Sequence, residues 1–287
     1  MRIGILTSGG DCPGINATIR GVCKTAINYY GMEVVGIHSG FQGLLTKDVE
    51  SFTDKSLSGL LNLGGTMLGT SREKPFKKGG VISDVDKPAL ILQNIREMGL
   101  DCVVCIGGNG TQKTAAKFAA MGVNIVSVPK TIDNDIWGTD MTFGFQSAVD
   151  IAAAAIDNIH TTASSHGRVF IVEVMGHKVG WLTLHAGIAG GADVILLPEI
   201  PYDVDAVVEA IQKRSQMGKR FSILAVAEGA ISREDAMLSK KEYKAVLKKS
   251  PYPSISYQLG AQIQERTGQE VRITVPGHTQ RGGAPCP

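Results

Sequence analysis

Seven consecutive residues, Pro129-Lys130-Thr131-Ile132-Asp133-Asn134-Asp135, put one hydroxyl and two carboxylates at alternating positions just after the apolar run 123–128. On extended chain, residues two apart point the same way, so Thr131, Asp133 and Asp135 are expected to share a face beyond a strand end. One carboxylate there can take a proton from an attacking alcohol while its neighbour holds a divalent ion against phosphate oxygens. Upstream, Gly107-Gly108-Asn109-Gly110-Thr111 follows another short apolar run. Its glycines let backbone approach a bulky anion, and amides at the start of a following helix favour negative charge. Together the two segments imply phosphoryl transfer. Taken alone, the Asx-rich segment also fits a plain turn.

Two further glycine-rich segments belong to the same reading. Thr7-Ser8-Gly9-Gly10-Asp11-Cys12-Pro13-Gly14 joins a first strand to a helix opening near Asn16, and its amides are placed to cradle phosphate. Residues 64–72 end on Arg72, a cation able to meet developing phosphoryl charge. The chain has no GxxxxGK[ST] loop, and Lys113 stands where a dinucleotide fingerprint has its third glycine, which weakens P-loop and NAD readings.

These loops need strands and helices behind them. Short β-branched runs at 3–7, 33–38, 103–106 and 125–128, then 168–174, 193–197, 221–227 and 270–275, alternate with helical patterns such as 181–189 and 203–217. The pattern predicts an α/β fold of mostly parallel sheets in two Rossmann-like lobes, with ligands outside the carboxyl ends of the strands. The alanine-rich stretch 146–164 is expected to be the helix leading from the first lobe to the second. Residues 232–253, rich in Lys, Glu and Ser with a weak apolar pattern, read as a surface excursion.

At 287 residues the chain is long enough to bury a substantial core. A formal net charge of +2 gives no global reason to expect nucleic acid or an anionic membrane as partner. No apolar run has the length of a membrane span, and a cytoplasmic protein is expected. Five cysteines do not make a disulfide framework, and Cys102 and Cys105 read as buried strand thiols. Cys12, in a glycine-rich turn ahead of a helix, is expected to have a lowered thiol pKa and to be sensitive to oxidation.

The motifs LTSGGDCPGINATIR (6–20), GGTMLGTSR (64–72), IGGNGT (106–111), PKTIDND (129–135), SSHGRVFIVEVMG (164–176), IAGGAD (188–193), AEG (227–229) and PGHTQRGG (276–283) occur in an order that resembles the 6-phosphofructokinase family over nearly the whole chain. The resemblance implies a phosphofructokinase-like fold with its active site in the cleft between the lobes. It implies a donor lobe at 1–144, joined by the tail 279–287, and a sugar lobe at 145–278. The implied reaction is ATP-dependent phosphorylation of fructose 6-phosphate at its 1-hydroxyl, with Asp133 as general base and Thr131 beside it.

Under the same resemblance Gly10, Arg72, Gly108, Asn109, Gly110, Thr111 and Lys130 face the phosphoryl donor. Asn109 and Asp135 face Mg²⁺. Met175, Gly176, His177, Glu228, His278 and Arg281 grip the sugar and its 6-phosphate. Arg168 and Arg272 are cations lent to a neighbouring subunit, which implies a dimer or tetramer. The family's allosteric nucleotide pocket is mirrored in part, by Arg20, Lys24, Asp193, Lys219 and Arg220. Members of this family usually continue past the RGG motif into further helices, whereas this chain stops at Ala284-Pro285-Cys286-Pro287. Either it is shortened or the fold is completed differently.

Two donor-side positions depart from the usual ATP-dependent pattern and a third keeps it. Asn109 replaces an aspartate, Lys130 replaces a glycine and is shared with pyrophosphate users, and Gly110 keeps the small residue that leaves room for an inner phosphate. ATP is the expected donor, with a pyrophosphate-dependent enzyme as the alternative and a non-catalytic regulatory subunit as a remoter one. NAD and lipid kinases share the glycine loop, but the VEVMG and PGHTQRGG segments argue against them. His177 replaces an arginine, with Lys178 next to it. Imidazole loses its charge near neutral pH, so turnover that depends on His177 is expected to slow on the alkaline side. A pH–rate profile that stays flat in an active enzyme contradicts that use of His177.

Overall fold

The computed structural model describes residues 1–77, 79 and 85–287. The chain forms two compact units, Met1–Ser147 with Arg281–Pro287, and Ala148–Gln280.

The first unit is built on a five-stranded sheet of order β3-β2-β1-β4-β5. Its strands are β1 (Arg2–Ser8), β2 (Glu33–Ile37), β3 (Val49–Phe52), β4 (Cys102–Gly107) and β5 (Ile125–Pro129). All neighbours run parallel except β3, which pairs antiparallel with β2. β1 and β4 are almost wholly buried, as expected of central parallel strands covered on both faces. Helices α1 (Ile15–Tyr30), α2 (Phe41–Thr46), α3 (Lys87–Glu97) and α4 (Asn109–Ala120) surround the sheet. A core of Leu6, Ile37, Phe41, Leu44, Ile91, Val103, Cys105 and Phe118 joins α2, α3 and α4 to one face of it. Register decides where the loops start. Ser8 is opposite Gly107, and Gly107 is opposite Pro129, so the three carboxyl ends lie level.

The second unit holds a four-stranded parallel sheet of order β7-β8-β6-β9. These strands are β6 (Val169–Val174), β7 (Val194–Leu196), β8 (Ser222–Ala227) and β9 (Val271–Thr274). The long helix α5 (Phe145–His166) leads into it, and α6 (Trp181–Ala189), α7 (Val204–Gln216) and α10 (Ile255–Thr267) follow. Ile171, Leu224, Val226, Val207, Ile211, Leu259 and Ile263 form its core. Val174 is opposite Ala227, so the loops after β6 and β8 also start level.

The expected surface excursion at 232–253 is largely exposed, and much of it is helical. It contains α8 (Arg233–Ala236) and α9 (Lys240–Lys249), and Ser239 and Glu242 form a reciprocal capping box at the start of α9. The capping box satisfies N-terminal amides, while the short apolar stripe Tyr243, Val246 and Leu247 stays largely exposed among lysines and gives only a weak periodic signal. The edge strand β3 and the short helix α2 are likewise additions to the sequence expectation. Both are shorter than the windows in which period is readable.

Cys12 differs from expectation as well. It is fully buried, its Sγ points at the Phe143 carbonyl, and burial pushes its thiol up from an ordinary 9.0 to about 11. Loss of water outweighs the nearby Lys130 and Arg281 cations. Burial also raises Cys23 to about 12 and raises Cys105. Thiolate is therefore easier to form in the unfolded chain. The stability carried by these neutral thiols is complete below pH 9 and is lost as pH rises through the folded values. Denaturant midpoints measured from pH 7 to 10 are expected to fall less steeply in Cys12→Ala than in the parent chain. Equal slopes contradict a buried, neutral Cys12.

Candidate active site

In the first unit the level strand ends bring three loops together around a cavity of about 550 Å³. Gly10, Arg72, Gly108, Asn109, Gly110, Thr111, Lys130, Thr131, Asp133, Asp135 and Arg281 all line it. All donor-side, base and metal residues expected from the sequence thus meet in one place.

The base-bearing loop leaves β5 through a bridge between Lys130 and Phe143. Thr131 N–H donates to the Phe143 carbonyl at 3.1 Å, and the Thr142 hydroxyl donates to the Thr131 carbonyl at 2.6 Å. The Asn134 side chain accepts from Thr142 N–H at 2.9 Å and donates to the Asp140 carbonyl at 3.2 Å. These bonds close a loop in which Asn134 has φ of 52°. The chain is therefore not extended through Asp135, as strict alternation requires. A left-handed turn at Asn134 sets the last carboxylate, and asparagine tolerates that conformation. Thr131 Oγ1 accepts from Asp133 N–H at 3.2 Å, which ties the hydroxyl to the backbone of the candidate base.

The glycine loops supply anion-binding backbone. Gly108 precedes α4 in extended conformation, and among the described residues no side chain caps that helix. Its first amides are left to a ligand. Gly107 has to be glycine here, because a Cβ at that position sits 2.4 Å from Thr111 Oγ1. Around the first loop, Thr70 Oγ1 donates to the Gly9 carbonyl at 2.6 Å and Gly9 N–H donates to the Ser71 carbonyl at 3.2 Å. The segment carrying Arg72 is thus strapped to the loop carrying Gly10.

Two cations are seated under this surface. Lys130 is buried and its Nζ donates to the Gly10 carbonyl. Burial holds its ammonium pKa below the usual value, with the nearby Arg281 lowering it and Asp11 and Asp133 raising it. Arg281 donates to the Asp11 carbonyl at 3.1 Å. Expected in the sugar-phosphate grip, Arg281 is found beside the first glycine loop.

The remaining expected residues lie in the second unit. Met175, Gly176 and His177 follow β6, and Glu228 follows β8. The Glu228 carboxylate accepts from His177 N–H at 2.7 Å, and His177 itself is left-handed, with φ of 54°. His278 is exposed in the short 3-10 helix Gly277–Arg281. Arg168 pairs with one oxygen of Glu270 and Arg272 with the other, so one carboxylate holds two guanidiniums.

Several participants escaped the sequence reading. Gln280 is fully buried and its side-chain oxygen accepts from Met175 N–H at 3.2 Å, fixing the backbone after β6. Its place inside PGHTQRGG was the available signal. The cavity also runs past Gly110 to Phe41, Phe76, Lys77, Lys113, Thr114 and Lys117. Phe76 packs on Phe118 with ring centroids 4.9 Å apart, and the Lys117 ammonium lies 4.9 Å from the Phe76 centroid. Gly110, Lys113, Thr114 and Lys117 follow helical spacing along α4, but no spacing links them to Phe41 and Phe76. The acids present suit a hard cation held partly by ligand oxygens: Asp133 and Asp135 line the cavity, while no cluster of three metal-ligating His, Cys, Asp or Glu side chains occurs among the described residues.

Comparison with known proteins agrees with this geometry. The family model for phosphofructokinase matches residues 2–287. The chain is 70% identical to the ATP-dependent 6-phosphofructokinase 3 of Bacteroides thetaiotaomicron over its whole length, spanning 80% of that protein. It is 55% identical to the ATP-dependent 6-phosphofructokinase of Spirochaeta thermophila, with 99% of this chain and 79% of that one covered. Among solved structures, phosphofructokinase from Pichia pastoris in the T-state is similar at 35% identity and a TM-score of 0.80, covering 99% of this chain and 30% of that longer one. With strands, loops and cavity in agreement, this chain belongs to the phosphofructokinase family.

Proposed function

We propose that the chain transfers the terminal phosphoryl group of ATP to the 1-hydroxyl of D-fructose 6-phosphate, as a glycolytic phosphotransferase, with Asp133 as the general base. The observation that carries this reading is the cavity of the first unit, which joins Asp133 to the glycine loops and continues beyond Gly110 into an aromatic and basic end. Pyrophosphate has no group to place beside the partly exposed Phe76, whereas a nucleoside does. Both curated relatives reported above are named ATP-dependent, which agrees.

Each side chain has a task in this scheme. Asp133 takes the proton from the attacking hydroxyl, and Thr131 fixes the loop from which it acts. Arg72, Lys130 and the amides near Gly10 and after Gly108 stabilise charge on the transferring group. Asp135 and Asn109 are suited to hold Mg²⁺ with donor phosphates and water, and that ion supplies charge neutralisation across the phosphates. In the second unit Met175, Gly176, His177, Glu228 and His278 bind the sugar phosphate. Arg168 and Arg272, set in a pair by Glu270, complete a neighbouring subunit's site in a homo-oligomer. Among the described residues no helix is long and apolar enough to cross a membrane, and we place the enzyme in the cytoplasm.

Asp133→Asn removes the base while leaving shape nearly unchanged. It is expected to lower kcat by about 10²–10⁴-fold with little change in the KM for ATP. A kcat within about threefold of the parent contradicts the assignment. Gly110→Asp tests the donor. The added carboxylate points into open space beside the phosphates and is expected to lower kcat/KM for ATP at least about 10²-fold.

A further inference from the structure

Lys87 occupies the first position of α3, where the helix dipole disfavours a cation, and its side chain is only 3% exposed. Removing an ammonium from water at such a place is costly unless it is paired and hydrogen-bonded. Its Nζ lies 2.6 Å from Glu73 Oε1, whose side chain is 5% exposed, and it also donates to the Gly79 carbonyl. The pair is buried in the wall of the cavity, which Glu73 helps to line.

Its sequence position gives the pair a role. Glu73 follows Arg72 directly. On the other side of Arg72, the Ser71 hydroxyl donates to the Ser39 carbonyl at 2.6 Å, the Ser71 carbonyl accepts from Gly9 N–H, and Thr70 is bonded to Gly9. Arg72 is itself exposed and lines the cavity, and both of its sequence neighbours are anchored. We infer that the buried Lys87–Glu73 pair is a positioning clamp for Arg72, holding that cation at the phosphoryl donor and fixing the Arg72–Phe76 side of the cavity. This role rests on the functional reading above. Neither Lys87 nor Glu73 needs to touch the reacting atoms.

A clamp acting through Arg72 differs from a merely structural ion pair in one measurable way: its effect disappears when Arg72 is absent. Lys87→Met, Glu73→Gln and Lys87→Arg are to be made in the parent chain and in Arg72→Ala, with kcat/KM for ATP, KM for fructose 6-phosphate and the thermal midpoint measured for each. Lys87→Met is expected to lower kcat/KM for ATP about tenfold in the parent and less than about twofold in Arg72→Ala, as coupled residues do. Glu73→Gln is expected to behave alike, Lys87→Arg to recover most of the loss, and KM for fructose 6-phosphate to stay put. Equal losses with and without Arg72, or losses that follow only the thermal midpoint, overturn the clamp. Calorimetric binding of a non-hydrolysable ATP analogue to the same variants reads the coupling without turnover. If the parent chain does not use ATP in the assay, the functional reading fails, while the analogue still decides the clamp by the same criterion.

Discussion

Everything in the first unit depends on parallel register. Because Ser8, Gly107 and Pro129 stand side by side at the ends of β1, β4 and β5, the chain leaves the sheet three times at one level. Two of those exits are glycine-rich and the third carries Asp133. A one-residue slip in any pairing turns the strand's other face to the core and moves its loop away from the cavity. The buried side chains of β1 and β4 make such a slip costly, so packing of Ile5, Leu6, Val103 and Cys105 is what aligns the chemistry.

Cations that face this site are restrained rather than left to find their place. Lys130 is held by the Gly10 carbonyl, Arg281 by the Asp11 carbonyl, and Arg72 by the anchors of its two neighbours. A long side chain pays entropy when it is ordered, and restraint in the folded state removes much of that cost before a ligand arrives. The second unit uses the same device with other atoms. Glu270 sets Arg168 and Arg272 together, and Gln280 fixes the backbone at Met175.

The sequence was legible where period and spacing carry the information. The alternation of short apolar runs with helical patterns matches β1, β2 and β4 to β9, and residues 181–189 coincide with α6. The loops after the strands contained the donor-side residues, because parallel strands deliver successive loops to one edge. What was not legible came from long-range packing. Phe41, Phe76, Thr114 and Lys117 line the cavity from three separate segments, and Cys12 is buried with its Sγ against Phe143 and Gly144. The local turn at Asn134 also overrode simple alternation, since its side chain bonds to Thr142 and Asp140 define the loop more firmly than extended geometry does.

The central claim is that the cavity beyond Gly110 takes a nucleoside and that the chain therefore phosphorylates fructose 6-phosphate from ATP. The most direct measurement is the initial rate of fructose 1,6-bisphosphate formation with Mg²⁺, run in parallel with ATP and with pyrophosphate over the same concentration range. Saturable turnover with ATP and none above background with pyrophosphate is the predicted result. Turnover with pyrophosphate and none with ATP contradicts the account, and assigns the dominant role in donor choice to the buried Lys130 instead of Gly110.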